Sequence, residues 1–237
     1  MLWGFVGGAA LLVGAGLGLY AGVSRRLMAV VMALGAGVLV SSVAFELMDE
    51  AYRIGGLDAA AVGLLLGAVV FFLADREVNR RGGGRRKNSG DEQGGSATAI
   101  AIGALLDGIP ESAAIGISLI EGNGVGIALV AAVFLSNFPE GLSSAAGMKR
   151  AGRSTAHVLG LWGAVTLAST LAALLGYLFL AGASGNIVAA IQAFAAGATL
   201  TMLASTVMPE AYEEGGPVVG VVTTVGFLLA FVLSRVA

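Results

Sequence analysis

Two short stretches place acidic residues in the middle of apolar runs. Residues 105–112 read LLDGIPES and residues 135–141 read LSNFPEG, and each stretch lies about halfway along a run long enough to cross a bilayer. A charged side chain at that depth costs about 2.5–3.5 kcal/mol, and it usually marks a binding site or an ion pathway. Each proline also leaves the carbonyl four residues earlier without its helical donor. Both stretches therefore predict buried oxygen ligands near the middle of a membrane.

The spacing of these polar residues indicates a shared cation site. Side chains four residues apart lie on one helix face, so Asp107 and Glu111 point the same way. On the other stretch Ser136 and Glu140 share a face, and Asn137 lies three residues before Glu140. Oxygen ligands suit hard or borderline divalent ions, and clustered carboxylates in apolar surroundings need a cation or protons. The predicted metal ligands are Asp107, Glu111, Asn137 and Glu140, with Ser136 as an auxiliary ligand.

The composition is that of a polytopic, all-α membrane protein. Of 237 residues, 57% are apolar and only 12% are charged, with a mean hydropathy of +0.90, whereas soluble domains carry about 25% charged residues. The absence of cysteine excludes disulfides and thiolate metal sites. Gly14, Gly18 and Gly22 predict a close helix contact at the start of the chain. Nothing in the composition favours nucleic-acid binding or a resident cofactor.

Eight apolar segments approach the ~20 residues that a helix needs to cross a bilayer. We predict a single transmembrane domain over residues 1–237. Its parts are helices 1–3 at 2–75, a flexible cytoplasmic loop at 76–96, a central helix pair at 97–148 and helices 6–8 at 157–236. The eight segments are 2–23, 27–49, 57–75, 97–119, 124–148, 157–181, 187–209 and 217–236.

The placement of basic residues predicts the orientation in a cell (inner) membrane. Nearly all of the 13 lysines and arginines fall in the loops after segments 1, 3 and 5, and only Arg53 and Arg235 lie on the other side. Cytoplasmic loops carry the excess of Lys and Arg. Both termini are therefore expected outside.

A sequence repeat suggests a symmetric plan. Residues 36–56 and 196–216 share AG, M-x-E-A-Y and a closing GG at an offset of 160 residues. In the predicted topology the second helix runs outward and the seventh runs inward, which makes the two halves inverted repeats. The predicted arrangement is 3+2+3, with the site at the repeat interface near the midplane.

Two acidic groups lie at the ends of the repeated helices. Clustered negative charge raises the local concentration of cations. A candidate entrance at the outer end of the second helix consists of Glu46, Asp49 and Glu50. A candidate exit at the inner end of the seventh helix consists of Glu210, Glu213 and Glu214, of which the last two are equally explained as a solvated helix end.

These motifs resemble the ZIP family of divalent-metal transporters, in particular the bacterial branch grouped with GufA proteins. The resemblance rests on LSNFPEG, its neighbour LLDGIPES, and VMPEAYEEGG near the end of the seventh segment. It covers essentially the whole chain. It implies inward movement of zinc, iron, manganese or a related ion through helices four and five, with the metal ion as substrate, in a membrane-embedded homodimer.

The resemblance implies metal-binding roles for residues that match the family motif, and the chain departs from that motif at two positions. Glu111 and Glu140 match the paired metal-binding glutamates, and Asn137 matches the polar residue that precedes the second one. Asp107 stands where a histidine is common, and Ser136 replaces a histidine or glutamine. These departures favour a single site that is as suited to manganese or iron as to zinc.

Two other functions are compatible with the same residues. A cation/proton exchanger of another family could use intramembrane Pro-Glu repeats. An intramembrane hydrolase could use Asp107 with a carboxylate partner as an acid-base dyad, although no second aspartate lies at a segment centre. We expect a transporter rather than an enzyme.

Overall fold

The chain folds into helices in the computed structural model, which describes residues 2–21, 23–78, 80, 97–119, 127–180 and 182–236. No strand occurs within these ranges. The first five helices are α1 (Leu2–Tyr20), α2 (Arg25–Ser42), α3 (Asp49–Val78), α4 (Ala97–Ser118) and α5 (Ile127–Arg150). The remaining helices are α6 (Thr155–Leu180), α7 (Gly185–Met202), α8 (Met208–Gly215) and α9 (Val218–Val236).

Five helical runs in the described part of the chain are long and apolar enough to cross a membrane. One of them, Arg25–Val78, has 54 residues and is divided by a sharp turn at Gly56, where φ is 70° and ψ is −174°. The other four are Leu2–Tyr20, Thr155–Leu180, Gly185–Gly215 and Val218–Arg235. The prediction of an all-helical, multi-pass membrane protein is thus confirmed, whereas the predicted loop at 76–96 lies almost wholly outside the described residues.

Two π-helical segments interrupt the helices at the repeated sequences. They span Val43–Met48, between α2 and α3, and Leu203–Val207, between α7 and α8, and they begin 160 residues apart. At the end of each segment a backbone N–H reaches the carbonyl five residues earlier, from Asp49 to Ala44 in the first segment. Such segments are rare and are often found at functional sites. The sequence repeat therefore has a counterpart in the backbone.

The glycine that closes each repeat has an unusual conformation. Gly56 and Gly216 have φ values of 70° and 68°, with ψ near ±180°. This region of φ/ψ space is essentially restricted to glycine. Both glycines let the chain turn back directly into the next apolar helix.

We expect Gly56→Ala to lower the free energy of unfolding by about 1–3 kcal/mol, the usual cost of a strained backbone conformation. A Cβ at Gly56 would meet no atom within 4 Å, so the loss has no steric part. Thermal unfolding in detergent measures the effect. Gly160→Ala is the control, because its Cβ also has open space but its backbone is helical. Equal stability of the two variants would contradict the prediction.

Helix pairs approach closely through glycines that face carbonyl oxygens. Gly67 of α3 faces the carbonyl of Phe194 on α7, and Gly226 of α9 faces the carbonyl of Leu34 on α2. Residues 34 and 194 are again 160 apart. Any Cβ at either glycine would collide with the neighbouring backbone. The same packing device thus joins α3 to α7 and α2 to α9.

Helix α1 contacts α5 in the same way. Gly14 faces the carbonyl of Phe138, and Gly18 faces the carbonyl of Leu142. The contact is reciprocal, since Gly141 of α5 faces the carbonyl of Leu11. The close contact predicted for Gly14 and Gly18 is confirmed, while Gly22 lies outside the described residues. This interface holds α1 against the part of α5 that carries the NFPEG motif.

Helix α5 lies between two apolar cores. One core surrounds Trp162 of α6, which is fully buried, and includes Leu11 and Leu19 of α1 and Ala145 of α5. The second core joins α2, α3, α7, α8 and α9, and Ala132 of α5 belongs to it. The polar residues of α5 are thereby placed in the interior of the bundle.

Candidate functional site

The acidic side chains of the central pair are deeply buried. Glu111 of α4 and Glu140 of α5 are only 3% and 6% exposed, and Asn137 is 3% exposed. Asp107 lies on α4, but its side chain is outside the described part of the structure. Ser136 is half-buried, and its hydroxyl donates to the carbonyl of Val133 at 3.0 Å, which leaves its lone pairs as acceptors.

Contacts around Gly7 of α1 show which residues of α4 and α5 lie at the same height along the helix axes. The Ile115 and Val133 side chains both meet this glycine, at 3.4 and 3.1 Å from an ideal Cβ position. A short connection joins the two helices, which makes them antiparallel neighbours. Glu111, one turn before Ile115, therefore lies near the level of Asn137, one turn after Val133. Glu140 follows about 4.5 Å further along the axis, so the three polar side chains occupy adjacent levels.

The side-chain amide of Asn137 uses its nitrogen for a helix contact and leaves its oxygen for a cation. Its Nδ2 donates to the carbonyl of Gly7 at 3.1 Å. Thr166 of α6 makes a parallel bond to the next residue, with Oγ1 donating to the carbonyl of Gly8 at 3.0 Å. These bonds fix α5 and α6 against α1. With its nitrogen so engaged, Asn137 could ligate a cation only through Oδ1.

The proline of the NFPEG motif frees a carbonyl that faces away from α4. Pro139 lies within α5 and has no N–H to offer the carbonyl of Leu135. This carbonyl oxygen lies against Gly35 of α2, 2.8 Å from an ideal Cβ position. In this conformation the freed oxygen belongs to the contact between α2 and α5.

The candidate entrance residues differ in their surroundings. Asp49 is exposed, and Glu50 forms an ion pair with Arg53 at 2.7 Å. Glu46 is partly buried on the first π-helical segment, where its carboxylate accepts a hydrogen bond from the backbone of Leu129. Glu46 thus contacts the first turn of α5, whereas Glu50 is paired with an arginine of its own helix.

The candidate exit residues lie on α8. Glu214 forms an ion pair with Arg25 of α2 at 3.5 Å, which joins the start of α2 to the end of α8. Glu213 is exposed and Glu210 is partly buried. Within the described ranges, no three acidic or histidine side chains form a group that could hold a metal ion. Neither acidic end is therefore a compact metal cluster by itself.

Buried polar residues outside the motifs were missed by the sequence reasoning. Gln192 of α7 is 2% exposed, and its Nε2 donates to the backbone carbonyl of Glu46 at 3.3 Å. Ser169 of α6 is fully buried, with its Oγ 3.0 Å from an ideal Cβ position on Gly108 of α4. The available signal for Gln192 was its place as the single polar residue in the apolar stretch 187–198 of α7.

Taken together, the fold and its composition define a multi-pass helical membrane protein that buries several polar side chains within apolar cores. The chain is 27% identical over 190 residues to a protein of Arabidopsis thaliana whose name describes it as a candidate zinc transporter. The match covers 78% of this chain and 30% of the relative, so the chain spans less than a third of that protein's length. No protein-family profile matches the chain.

Proposed function

We propose that the protein transports divalent metal cations across the membrane. The observation that carries the proposal is the burial of Glu111 and Glu140 on two neighbouring apolar helices. Buried carboxylates in apolar helices are costly unless they are paired, protonated or bound to a cation, and they commonly mark an ion pathway. The similarity to a candidate zinc transporter supports the same class of substrate.

The proposed site consists of carboxylate, amide and hydroxyl oxygens between α4 and α5. Glu111, Glu140 and Oδ1 of Asn137 are the main ligands, Asp107 completes the set from α4, and Ser136 is auxiliary. Such ligands suit zinc, manganese or iron, with no strong preference expected from an all-oxygen set. Removal of the ion's water shell is offset by these oxygens.

The proposed architecture has eight membrane crossings in a 3+2+3 inverted repeat. The division of Arg25–Val78 at Gly56 yields two crossings from one run. The paired π-helical segments and the matched glycine contacts support a relationship between the first and last three helices. Alternating access between such halves around a fixed central site is a common transport cycle.

The proposed direction is import into the cytoplasm, with both termini outside. The basic residues place the start of α5 and the first π-helical segment on the outer side. A cation would pass Glu46 on its way in and Glu210 on its way out. A homodimer and a place in the GufA-like branch are part of this proposal on the strength of the sequence motifs alone.

The proposed function is tested by flux into proteoliposomes that contain the purified protein. We expect saturable uptake of labelled Zn²⁺ or Mn²⁺, absent from protein-free liposomes, with competition among Zn²⁺, Mn²⁺, Fe²⁺, Co²⁺ and Cd²⁺. An imposed proton gradient separates a transporter of this type from a cation/proton exchanger, which would move metal outward in response. No protein-dependent flux of any of these ions would refute the proposal.

A further inference from the structure

A second polar site lies at the first π-helical segment, away from the central pair. The carboxylate of Glu46 accepts a hydrogen bond from the backbone N–H of Leu129, in the first turn of α5. Its Oε2 is buried and has no hydrogen-bond partner among the described residues. One oxygen of Glu46 is therefore held by α5, and the other points into the protein.

The amide of Gln192 is fixed at the backbone of Glu46. Its Nε2 donates to the backbone carbonyl of Glu46 at 3.3 Å. Exchange of the amide oxygen and nitrogen would place two oxygens against each other, so this hydrogen bond defines the orientation. The Oε1 atom is then left buried with no partner in the described part of the chain. Gln192 thus presents an acceptor, not a donor.

A third oxygen belongs to the same helix as Glu46. Ser42 lies about one turn earlier, is 2% exposed, and its Oγ is also buried without a partner among the described residues. An ionised carboxylate and an amide oxygen are both acceptors and cannot satisfy each other. A buried polar atom left unsatisfied costs about 1–3 kcal/mol, so this arrangement is expensive unless a cation completes it.

Two basic side chains on the same predicted side of the membrane, Arg53 and Arg235, are engaged elsewhere. Arg53 is exposed and pairs with Glu50 at 2.7 Å. Arg235 lies over the rings of Phe45 and Phe231, at 5.9 and 5.4 Å from their centroids. Phe45 is exposed, so this contact lies on the outer side of the helix that carries Glu46. Neither arginine supplies the positive charge that the buried oxygens lack.

We propose that Glu46, Gln192 and Ser42 form a second binding site for a divalent cation. This inference rests on the proposed transport function and adds a separate binding site along the transport path. Leu129, which holds Glu46, lies about 12 Å from Asn137 along the axis of α5, given a rise of about 1.5 Å per residue. An ion at this second site could not share ligands with the Glu111 and Glu140 site. The site would receive the ion first and release it to the central carboxylates.

The test is a binding titration of Mn²⁺ to the purified protein in detergent, by equilibrium dialysis. We expect two equivalents bound to the wild-type protein and one to the Glu111→Gln/Glu140→Gln variant. Adding Glu46→Gln and Gln192→Leu to that variant should remove the remaining equivalent. In the wild-type background, Glu46→Gln with Gln192→Leu should leave one equivalent.

Matched controls separate the site from general effects of charge and polarity. Asp58→Asn removes an exposed carboxylate on α3, and Asn186→Leu removes an exposed amide on α7, and both should leave binding unchanged. A single elution peak at the wild-type volume confirms that each variant is folded. Ser42→Ala is a milder change, and we expect it to lower the affinity for the second Mn²⁺ at least threefold.

Two results would overturn the second site while leaving the proposed function intact. One is a Glu111→Gln/Glu140→Gln variant that binds no Mn²⁺ although the wild-type protein binds one equivalent. The other is unchanged binding after Glu46→Gln with Gln192→Leu. Failure of the transport function has a different signature, which is wild-type protein that neither binds nor moves any of the metals tested.

Discussion

Proteoliposomes with the Glu111→Gln or the Glu140→Gln variant are expected to take up labelled divalent metal at least about tenfold more slowly than those with the wild-type protein. Glutamine keeps the size of the side chain and removes its charge. A tenfold loss corresponds to about 1.4 kcal/mol of lost stabilisation of the ion in its path. Both carboxylates are nearly inaccessible to solvent, so no exposed residue can replace them. Initial rates of uptake at subsaturating metal give the measurement.

Glu77→Gln is the control for this experiment. Glu77 is a carboxylate at the end of α3, 48% exposed, and lies 3.7 Å from Arg80. The same chemical change there should leave uptake within about twofold of the wild-type rate, since surface ion pairs contribute about 0–1 kcal/mol. Wild-type rates in both the Glu111 and the Glu140 variants, with the proteins correctly folded, would remove the central site from the proposal.

Gly14→Ala is expected to lower the free energy of unfolding by about 1–3 kcal/mol, the usual cost of overpacking. A Cβ at Gly14 would collide with the carbonyl of Phe138, a backbone atom that cannot rotate away. Because Phe138 lies between Asn137 and Pro139, the displacement should also reduce metal uptake. The melting temperature in detergent and the uptake rate should therefore fall together.

Gly16→Ala is a matched control on the same helix. A Cβ at Gly16 would meet no atom within 4 Å, so alanine there should stabilise α1 by about 0.5–1 kcal/mol through its better helix propensity. The two variants differ only in which face of α1 carries the added methyl group. Equal melting temperatures for Gly14→Ala and Gly16→Ala would mean that α1 does not pack on α5 as described.

Hydropathy was sufficient to predict most of the fold. Long apolar runs can satisfy their backbone only as helices in a membrane, and the described residues are accordingly helical, with five runs apolar enough to cross a bilayer. The π-helical segments were not predictable, because the sequence around Val43 and Leu203 is as apolar and regular as the α-helices beside it. The sequence did predict a break between the segments 27–49 and 57–75, but it did not single out Gly56 as the residue with positive φ, since glycine is frequent throughout the chain.

The candidate site was only partly predictable. Glu111 and Glu140 were identified because a carboxylate in an apolar run is conspicuous, and their burial agrees with the expectation. The donation from Asn137 to Gly7 could not be predicted, since it depends on which helix packs beside α5. Gln192 was overlooked because its importance comes from residue 46, which is distant in sequence and adjacent in space.

The two π-helical segments have a mechanical consequence. Successive residues of an α-helix are rotated by about 100°, so a π turn that reverted to α geometry would rotate everything beyond it by roughly that angle relative to what precedes it. Beyond the first segment lies the turn at Gly56, and beyond the second lies the turn at Gly216. Each π-helical segment therefore contains one residue more than an α-helical turn. It lies between a helix fixed by glycine contacts and an acidic helix end. A rotation at either place would turn Glu46 or Glu210 without moving α2 or α7.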